Sequence, residues 1–137
     1  MIPILLISHG SFAASMIESA EMILGKKSDL YLCSISQDES PSEFAKKIIP
    51  LIERLSDKND LIVLSDFPLS TPFNQLVSLS RKHRFFHLTG INMPLLLYLL
   101  NNREEYVDCE LLCQKALAAG SEQMFDVCEF IKEFVQD

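Results

Sequence analysis

His9 and Gly10 interrupt a run of apolar residues, Ile4 to Ile7, and a helical pattern starts directly after them. A histidine at such a junction can act as base or nucleophile if a carboxylate fixes its tautomer. Asp66 closes a second apolar run, "DLIVLSD", and is the natural partner. It would accept the Nδ1 proton and leave Nε2 free to react. Gly10, with no side chain, leaves room for a group to approach the ring. The segment that follows, "FPLSTPFN", offers the hydroxyls of Ser70 and Thr71 and the backbone amides of a helix start. Helix starts attract anions. Histidine, carboxylate and anion cradle together suit phosphoryl transfer. A Walker-type glycine loop is missing, so the phosphoryl group would come from another protein or a small donor. A Ser-His-Asp hydrolase is a poorer fit, because no serine sits in a G-x-S-x-G elbow.

These residues need elements that bring them together. Four segments read as buried strands: Ile2 to Ser8, Leu30 to Ser36, Asp60 to Asp66 and Arg84 to Gly90. The first and third are nearly unbroken apolar runs, as expected of parallel strands covered on both faces. Helical stripes lie between and after them. "SFAASMIESAEMILG" ends on Gly25, a natural stop. "SPSEFAKKIIPLIERLS" begins with Ser40 or Ser42 as cap, and Pro50 should bend or interrupt it. "TPFNQLVSLSRKH" has Thr71 as cap and Pro72 at the first helical position. "MPLLLYLLNN" follows Asn92 in the same way, and two further helices are expected in "DCELLCQKALAAGSEQ" and "QMFDVCEFIKEFVQ".

Strand and helix in alternation define an α/β fold: one domain over residues 1–137, with a mostly parallel central sheet flanked by helices on both faces. Ligands of such sheets bind beyond the carboxyl ends of the strands. His9, Asp66 and "TGINMP" all fall there.

The 137 residues carry 12 Lys and Arg against 19 Asp and Glu, a net charge of −7. That balance argues against nucleic acid as a partner. The longest apolar stretch, "MPLLLYLL", is too short to span a bilayer, and no signal peptide is recognisable. Cys33, Cys109, Cys113 and Cys128 read as reduced thiols; Cys109 and Cys113 are one helical turn apart, with no histidine near enough to complete a metal site. No metal and no cofactor are expected. His83 lies in the basic patch "RKHR", a solvated helix end, and His87 sits within a strand as a hydrogen-bonded core residue.

With these motifs in place, the sequence resembles the enzyme IIA domain of the mannose family of the bacterial phosphoenolpyruvate-dependent sugar phosphotransferase system. The likeness runs from about Ile2 to Gly120. "ILLISHGSFAASMIESAEMILG" resembles the family's first strand, its "HG" and its first helix. "LSDFPLSTPFN" resembles the family segment D-x-x-G-G-S-P-F-N, and "TGINMPLLLYLL" resembles "GvNlPMLle". "CQKALAAGSEQM" resembles the family's C-terminal pattern.

The resemblance implies roles for individual residues. His9 would accept a phosphoryl group on Nε2 from the phosphocarrier HPr and pass it to enzyme IIB. Asp66 would hold Nδ1. Thr71 matches the family serine that helps bind the phosphoryl group, beside Gly10 and Ser70. Asn74 and Asn92 would scaffold the site loops. The family also implies a cytoplasmic protein, commonly a homodimer, that serves membrane permease subunits indirectly.

Two other uses of the fold stand beside this one. They are a non-catalytic or regulatory interaction module, and a phosphoryl donor subunit for dihydroxyacetone kinase. One departure bears on the choice: where the family has two glycines, this chain has Leu69 and Ser70, preceded by Pro68. The loop should therefore be strained or follow another path, with slower transfer or altered partner choice.

Overall fold

The computed structural model describes residues 1–135. Among the described residues four strands and six helices follow one another: β1 (Ile4–His9), α1 (Phe12–Leu24), β2 (Leu30–Ile35), α2 (Pro41–Ser56), β3 (Ile62–Ser65), α3 (Thr71–Leu79), β4 (Phe86–Thr89), α4 (Met93–Asn102), α5 (Cys109–Glu122) and α6 (Val127–Phe134). The strands form one parallel sheet in the order β2-β1-β3-β4. β1 and β3 are the central pair, which is why their sequences are apolar without alternation: both faces are covered.

Successive side chains on a strand point to opposite faces, and the core divides accordingly. Ile4, Leu6, Ile62 and Leu64 pack under α1, α4 and α5, against Ala13, Met16, Leu96, Leu99 and Leu112. Leu5, Ile7, Leu61 and Val63 pack on the other side against Phe44, Ile48 and Ile52 of α2 and Leu76 of α3. The expected α/β sheet with helices on both faces is the observed one.

The strands start and stop differently from expectation. β1 begins at Ile4, because Pro3 has no N–H to give the ladder, although its carbonyl still accepts from Ile62 N at 3.1 Å. β1 also runs on through His9, which pairs with Ile35. β3 and β4 are four residues each, so Asp66 is the first residue beyond its strand.

Pro50 neither breaks nor ends α2, which continues to Ser56. Its ring lies on the exposed side, where the carbonyl left without a partner can meet water. Meanwhile Phe44, Ile48 and Ile52 are fully buried on the inner side and hold both halves of the helix on the sheet. Ser40 is the cap of α2, accepting from Glu43 N, while Glu43 answers by accepting from Ser40 Oγ. Gly25 stops α1 with φ +84°, as expected.

Cys109 and Cys113 are buried in the core under α5, and Cys128 is exposed. Among the described residues no group of three His, Cys, Asp or Glu is placed to hold a metal. No described helix is long and apolar enough to cross a membrane. Gln136, the last residue of the expected sixth helix, lies outside the described residues.

Arg103 escapes a sequence reading, since "NNREE" looks like a solvated turn. It is 3% exposed. Its guanidinium donates to the carbonyls of Ile2, Ser28 and Asp29, tying the end of α4 to the entries of β1 and β2. Charged donors to buried carbonyls are among the stronger hydrogen bonds, and removing them leaves the acceptors unpaired. Arg103→Met is expected to lose about 3 kcal/mol of unfolding free energy, measured by urea denaturation. A loss under about 1 kcal/mol would mean that water replaces the guanidinium without difficulty.

Candidate active site

β1 and β3 are neighbours in the sheet, so the residues that end them are neighbours at its carboxyl edge. That topology joins His9 to Asp66 across 57 positions of chain. Asp66 Oδ2 accepts from the backbone N–H of His9 at 2.9 Å and lies 2.6 Å from His9 Nδ1. A carboxylate can only accept, so the proton of the imidazole sits on Nδ1 and Nε2 carries the lone pair. The other carboxylate oxygen accepts from Phe67 N at 3.0 Å. Partial burial opposes ionisation of Asp66, but these bonds outweigh it and hold the carboxyl below its ordinary range. The side chain of Asp66 is 10% exposed and that of His9 is 45%. The orienting group is inside and the reactive group is outside.

Gly10 turns the chain away from β1 with φ +53°, donating its N–H to Ile35 O at 2.9 Å. Nothing lies within 4 Å of where a Cβ would stand. Glycine is required here by the backbone angle and not by a tight contact, and the space above it is open. Ser8, fully buried one residue before the histidine, accepts from Ala13 N at 2.9 Å and so fixes the start of α1 behind Gly10. Ser8 carries no sequence signal beyond its position before a helix.

The loop from Asp66 to α3 corrects one expectation and meets another. Ser70, not Thr71, caps α3. Its Oγ accepts from Phe73 N and donates to Phe67 O, and the residue is buried. Its hydroxyl is committed inward, which leaves the backbone amide as the group of Ser70 that can meet an anion. Thr71 is therefore the first helical residue and Pro72 the second, and the partly exposed Thr71 hydroxyl is left available. Among the described residues the amides of Ser70 and Thr71 have no acceptor within the chain. The strain expected from the missing glycines falls on Leu69, which adopts φ +62°. Phe67 stacks on the His9 ring, with centroids 5.2 Å apart and planes at 29°. Periodicity does not place a side chain in a turn, and this contact has no sequence signal.

Asn92 is a scaffold residue. Its Oδ1 caps α4 by accepting from Leu95 N at 3.1 Å, and its Nδ2 donates to Gly120 O of α5 at 2.8 Å. A Cβ on Gly120 would stand 3.0 Å from Asn92 Oδ1 and 3.1 Å from Leu95 Cβ, so α5 can approach only because residue 120 has none. Asn74 is different: it is exposed on the first turn of α3 and its side chain makes no hydrogen bond among the described residues. A scaffolding role for Asn74 has no contact to carry it.

His87 lies beneath the site. Its Nε2 is 2.7 Å from Ser65 Oγ, which also donates to Thr89 Oγ1, and Phe73 covers its ring. Burial pushes its pKa down to about 4, so it is a neutral histidine at ordinary pH, joining β3 to β4 just below Asp66. His83 sits at the exposed helix end, 4.0 Å from Glu53.

A parallel α/β sheet here presents a carboxylate-oriented imidazole to solvent beside a helix start, an arrangement that can receive an anionic group at the surface. The chain belongs to the PTS system fructose IIA component family, which matches residues 3–116. It is 29% identical over 129 residues to the PTS system fructose-specific EIIA component of Bacillus subtilis, covering 93% of this chain and 87% of that protein. A putative phosphoenolpyruvate-dependent sugar phosphotransferase system permease from Klebsiella pneumoniae shares its fold with TM-score 0.82 and 30% identity, over 94% of this chain and 93% of that one. The PTS IIA protein associated with the fucose utilization operon of Streptococcus pneumoniae superimposes with TM-score 0.82 at 26% identity, covering 94% and 95% of the two chains. The expected family and fold are thereby established, and the protein is a component of the sugar phosphotransferase system.

Proposed function

We propose that this protein is a phosphocarrier in which His9 Nε2 accepts a phosphoryl group from HPr and passes it to enzyme IIB. The observation that carries this is the 2.6 Å contact between His9 Nδ1 and Asp66, which leaves Nε2 as the free, outward lone pair. In the accepting step the Nε2 lone pair forms the new N–P bond while the N–P bond of the donor's phosphohistidine breaks. The donor's imidazole leaves with the electron pair of that bond. No proton has to leave His9, because the tautomer already has its proton on Nδ1. The phosphorylated ring is then cationic before its dianionic phosphoryl group is counted, and Asp66 stands against that charge. The amides of Ser70 and Thr71 and the Thr71 hydroxyl serve the phosphoryl oxygens at the start of α3. Transfer to enzyme IIB reverses the same events.

The relatives are named for fructose, sorbose and fucose systems, and the sugar is chosen elsewhere, by the membrane permease subunits that the carrier serves indirectly. We place the carrier in the cytoplasm, where HPr works.

We read the protein as a homodimer. α6 has no buried residue, and Phe125, Phe130, Ile131, Phe134 and Val135 are all about half exposed or more. A short helix with such a face is not stable in water by itself and needs a covering surface. A second copy brings an identical one.

The test is incubation with phosphoenolpyruvate, enzyme I and HPr beside a His9→Ala variant. Acid-labile, alkali-stable phosphate on the wild type and none on the folded variant is the expected result. Equal labelling of both would place the phosphoryl group elsewhere.

A further inference from the structure

The face of the sheet beneath α2 and α3 is apolar at Leu5, Ile7, Leu61 and Val63, yet its carboxyl end carries a polar cluster that the phosphoryl chemistry does not use. Ser65, His87 and Thr89 make it. Val63 pairs with His87 and Ser65 with Thr89 in the register of β3 and β4, so the three side chains share that face. Ser65 is fully buried. Packing alone does not ask for such a cluster. When both partners of a buried hydrogen bond are replaced by apolar groups of the same shape, stability is often unchanged or higher.

The hydrogen bonds fix where the protons are. Ser65 has one hydroxyl proton and donates it to Thr89 Oγ1 at 2.8 Å. Toward His87 Nε2, 2.7 Å away, Ser65 Oγ can therefore only accept, and Nε2 carries the ring proton. His87 is the opposite tautomer to His9.

This buried donor touches both arms of the site. Ser65 is the last residue of β3, and the next residue is Asp66, whose Oδ2 lies 2.6 Å from His9 Nδ1. Phe73, in the first turn of α3, packs on the His87 ring with centroids 5.5 Å apart, and its N–H is the one that Ser70 Oγ accepts. β4 is the edge of the sheet and pairs with β3 over four residues, so Ser65 and Thr89 form the final rung. The end of a short ladder frays unless side chains hold it.

We propose that His87 is a positioning residue for phosphoryl transfer: its Nε2–H, bonded to Ser65 Oγ, fixes the end of β3, and its ring seats the first turn of α3 through Phe73, so that the Asp66 carboxylate and the α3 amides keep their places around His9. The inference rests on the phosphocarrier reading above. It assigns His87 no contact with the phosphoryl group. A displacement of about 1 Å in groups that orient a reaction can cost as much as 10²-fold in rate, so a residue one shell away has leverage on kcat.

The test compares wild type with His87→Leu, which removes the N–H, and His87→Gln, whose side-chain amide can give an N–H to Ser65 Oγ again. Phosphorylation is followed with phospho-HPr and separately with potassium phosphoramidate. In the second reaction the N–P bond of phosphoramidate breaks as Nε2–P forms, and ammonia leaves after taking a solvent proton. His87→Leu is expected to lower kcat about tenfold with either donor, with the KM for phospho-HPr within about twofold of wild type. His87→Gln should recover to within about threefold of wild type. In ¹⁵N spectra the His9 ring should shift from a clean Nδ1–H tautomer toward a mixture in His87→Leu and not in His87→Gln. Circular dichroism establishes that each variant is folded at the assay temperature. Ser65→Ala, which removes the acceptor and keeps the imidazole, should show the same loss of kcat and gives the same test if His87→Leu does not fold.

A folded His87→Leu or Ser65→Ala protein with wild-type kcat and an unchanged His9 tautomer overturns the inference, since His87 would then serve stability alone. A raised KM for phospho-HPr at unchanged kcat overturns it as well, because the effect would lie in docking. So does a His87→Gln protein as slow as His87→Leu, because the hydrogen bond would then carry nothing. A wild type that phosphoramidate labels at His9 but phospho-HPr does not overturns the phosphocarrier reading, while the phosphoramidate rates of the variants still decide the role of His87.

Discussion

Asp66→Asn is expected to slow phosphorylation of His9 by about 10²–10⁴-fold with the fold intact. The substitution is nearly isosteric, but Oδ2 serves both His9 N and His9 Nδ1 while Oδ1 serves Phe67 N, so an amide cannot satisfy all three. With its oxygen on Phe67 N, the amide turns its NH₂ group, a donor, toward Nδ1. Nδ1 must then accept, and the ring proton moves to Nε2. The atom that should attack phosphorus loses its lone pair. The phosphorylated ring also loses the carboxylate that opposes its positive charge. The measurement is the quench-flow rate with phospho-HPr at saturating donor, alongside circular dichroism. A rate within about threefold of wild type would show that the tautomer is set by something other than Asp66.

The second large effect concerns assembly. Wild type is expected to sediment at about twice the 15.6 kDa chain mass. Phe130→Asp combined with Phe134→Asp should sediment as a monomer, with the dimer weakened about a thousandfold or more. Burying each phenylalanine contributes roughly 1.5–3 kcal/mol, every dimer loses both from each copy, and the introduced carboxylates resist burial. The variant should keep its parallel sheet, because no α6 residue is buried against the domain. It should also still accept phosphate at His9. Monomeric wild type would remove the dimer and leave the apolar face of α6 to another partner.

The fold was legible because the strongest sequence signals are also the strongest physical ones. Two uninterrupted apolar runs could only be central parallel strands, and the strand-helix alternation then fixed which strand ends share an edge. The pairing of His9 with Asp66 came from that topology, with no local signal linking residues 57 positions apart. Other features depended on effects of a residue or two. Ser70 and Thr71 are both good caps, and the choice fell to Ser70 because Leu69 delivers it in extended backbone with φ −99°, ready to cap. Pro50 is expected to bend or interrupt α2, but the helix runs on to Ser56 because three buried side chains on one face outweigh one missing hydrogen bond. Arg103 carries no sequence signal, because its acceptors come from segments about 75 and 101 residues away. The stack of Phe67 on His9 depends on how a turn aims its side chains, which no periodicity encodes.

The most direct measurement is nuclear magnetic resonance of the phosphorylated, ¹⁵N-histidine-labelled protein, which identifies the ring nitrogen bonded to phosphorus. Phosphorus coupled to Nε2 of His9, with the proton retained on Nδ1, is the expected result. Phosphorus on Nδ1, on His83 or His87, or absent from every histidine after exposure to phospho-HPr, would contradict the role assigned to His9 and Asp66.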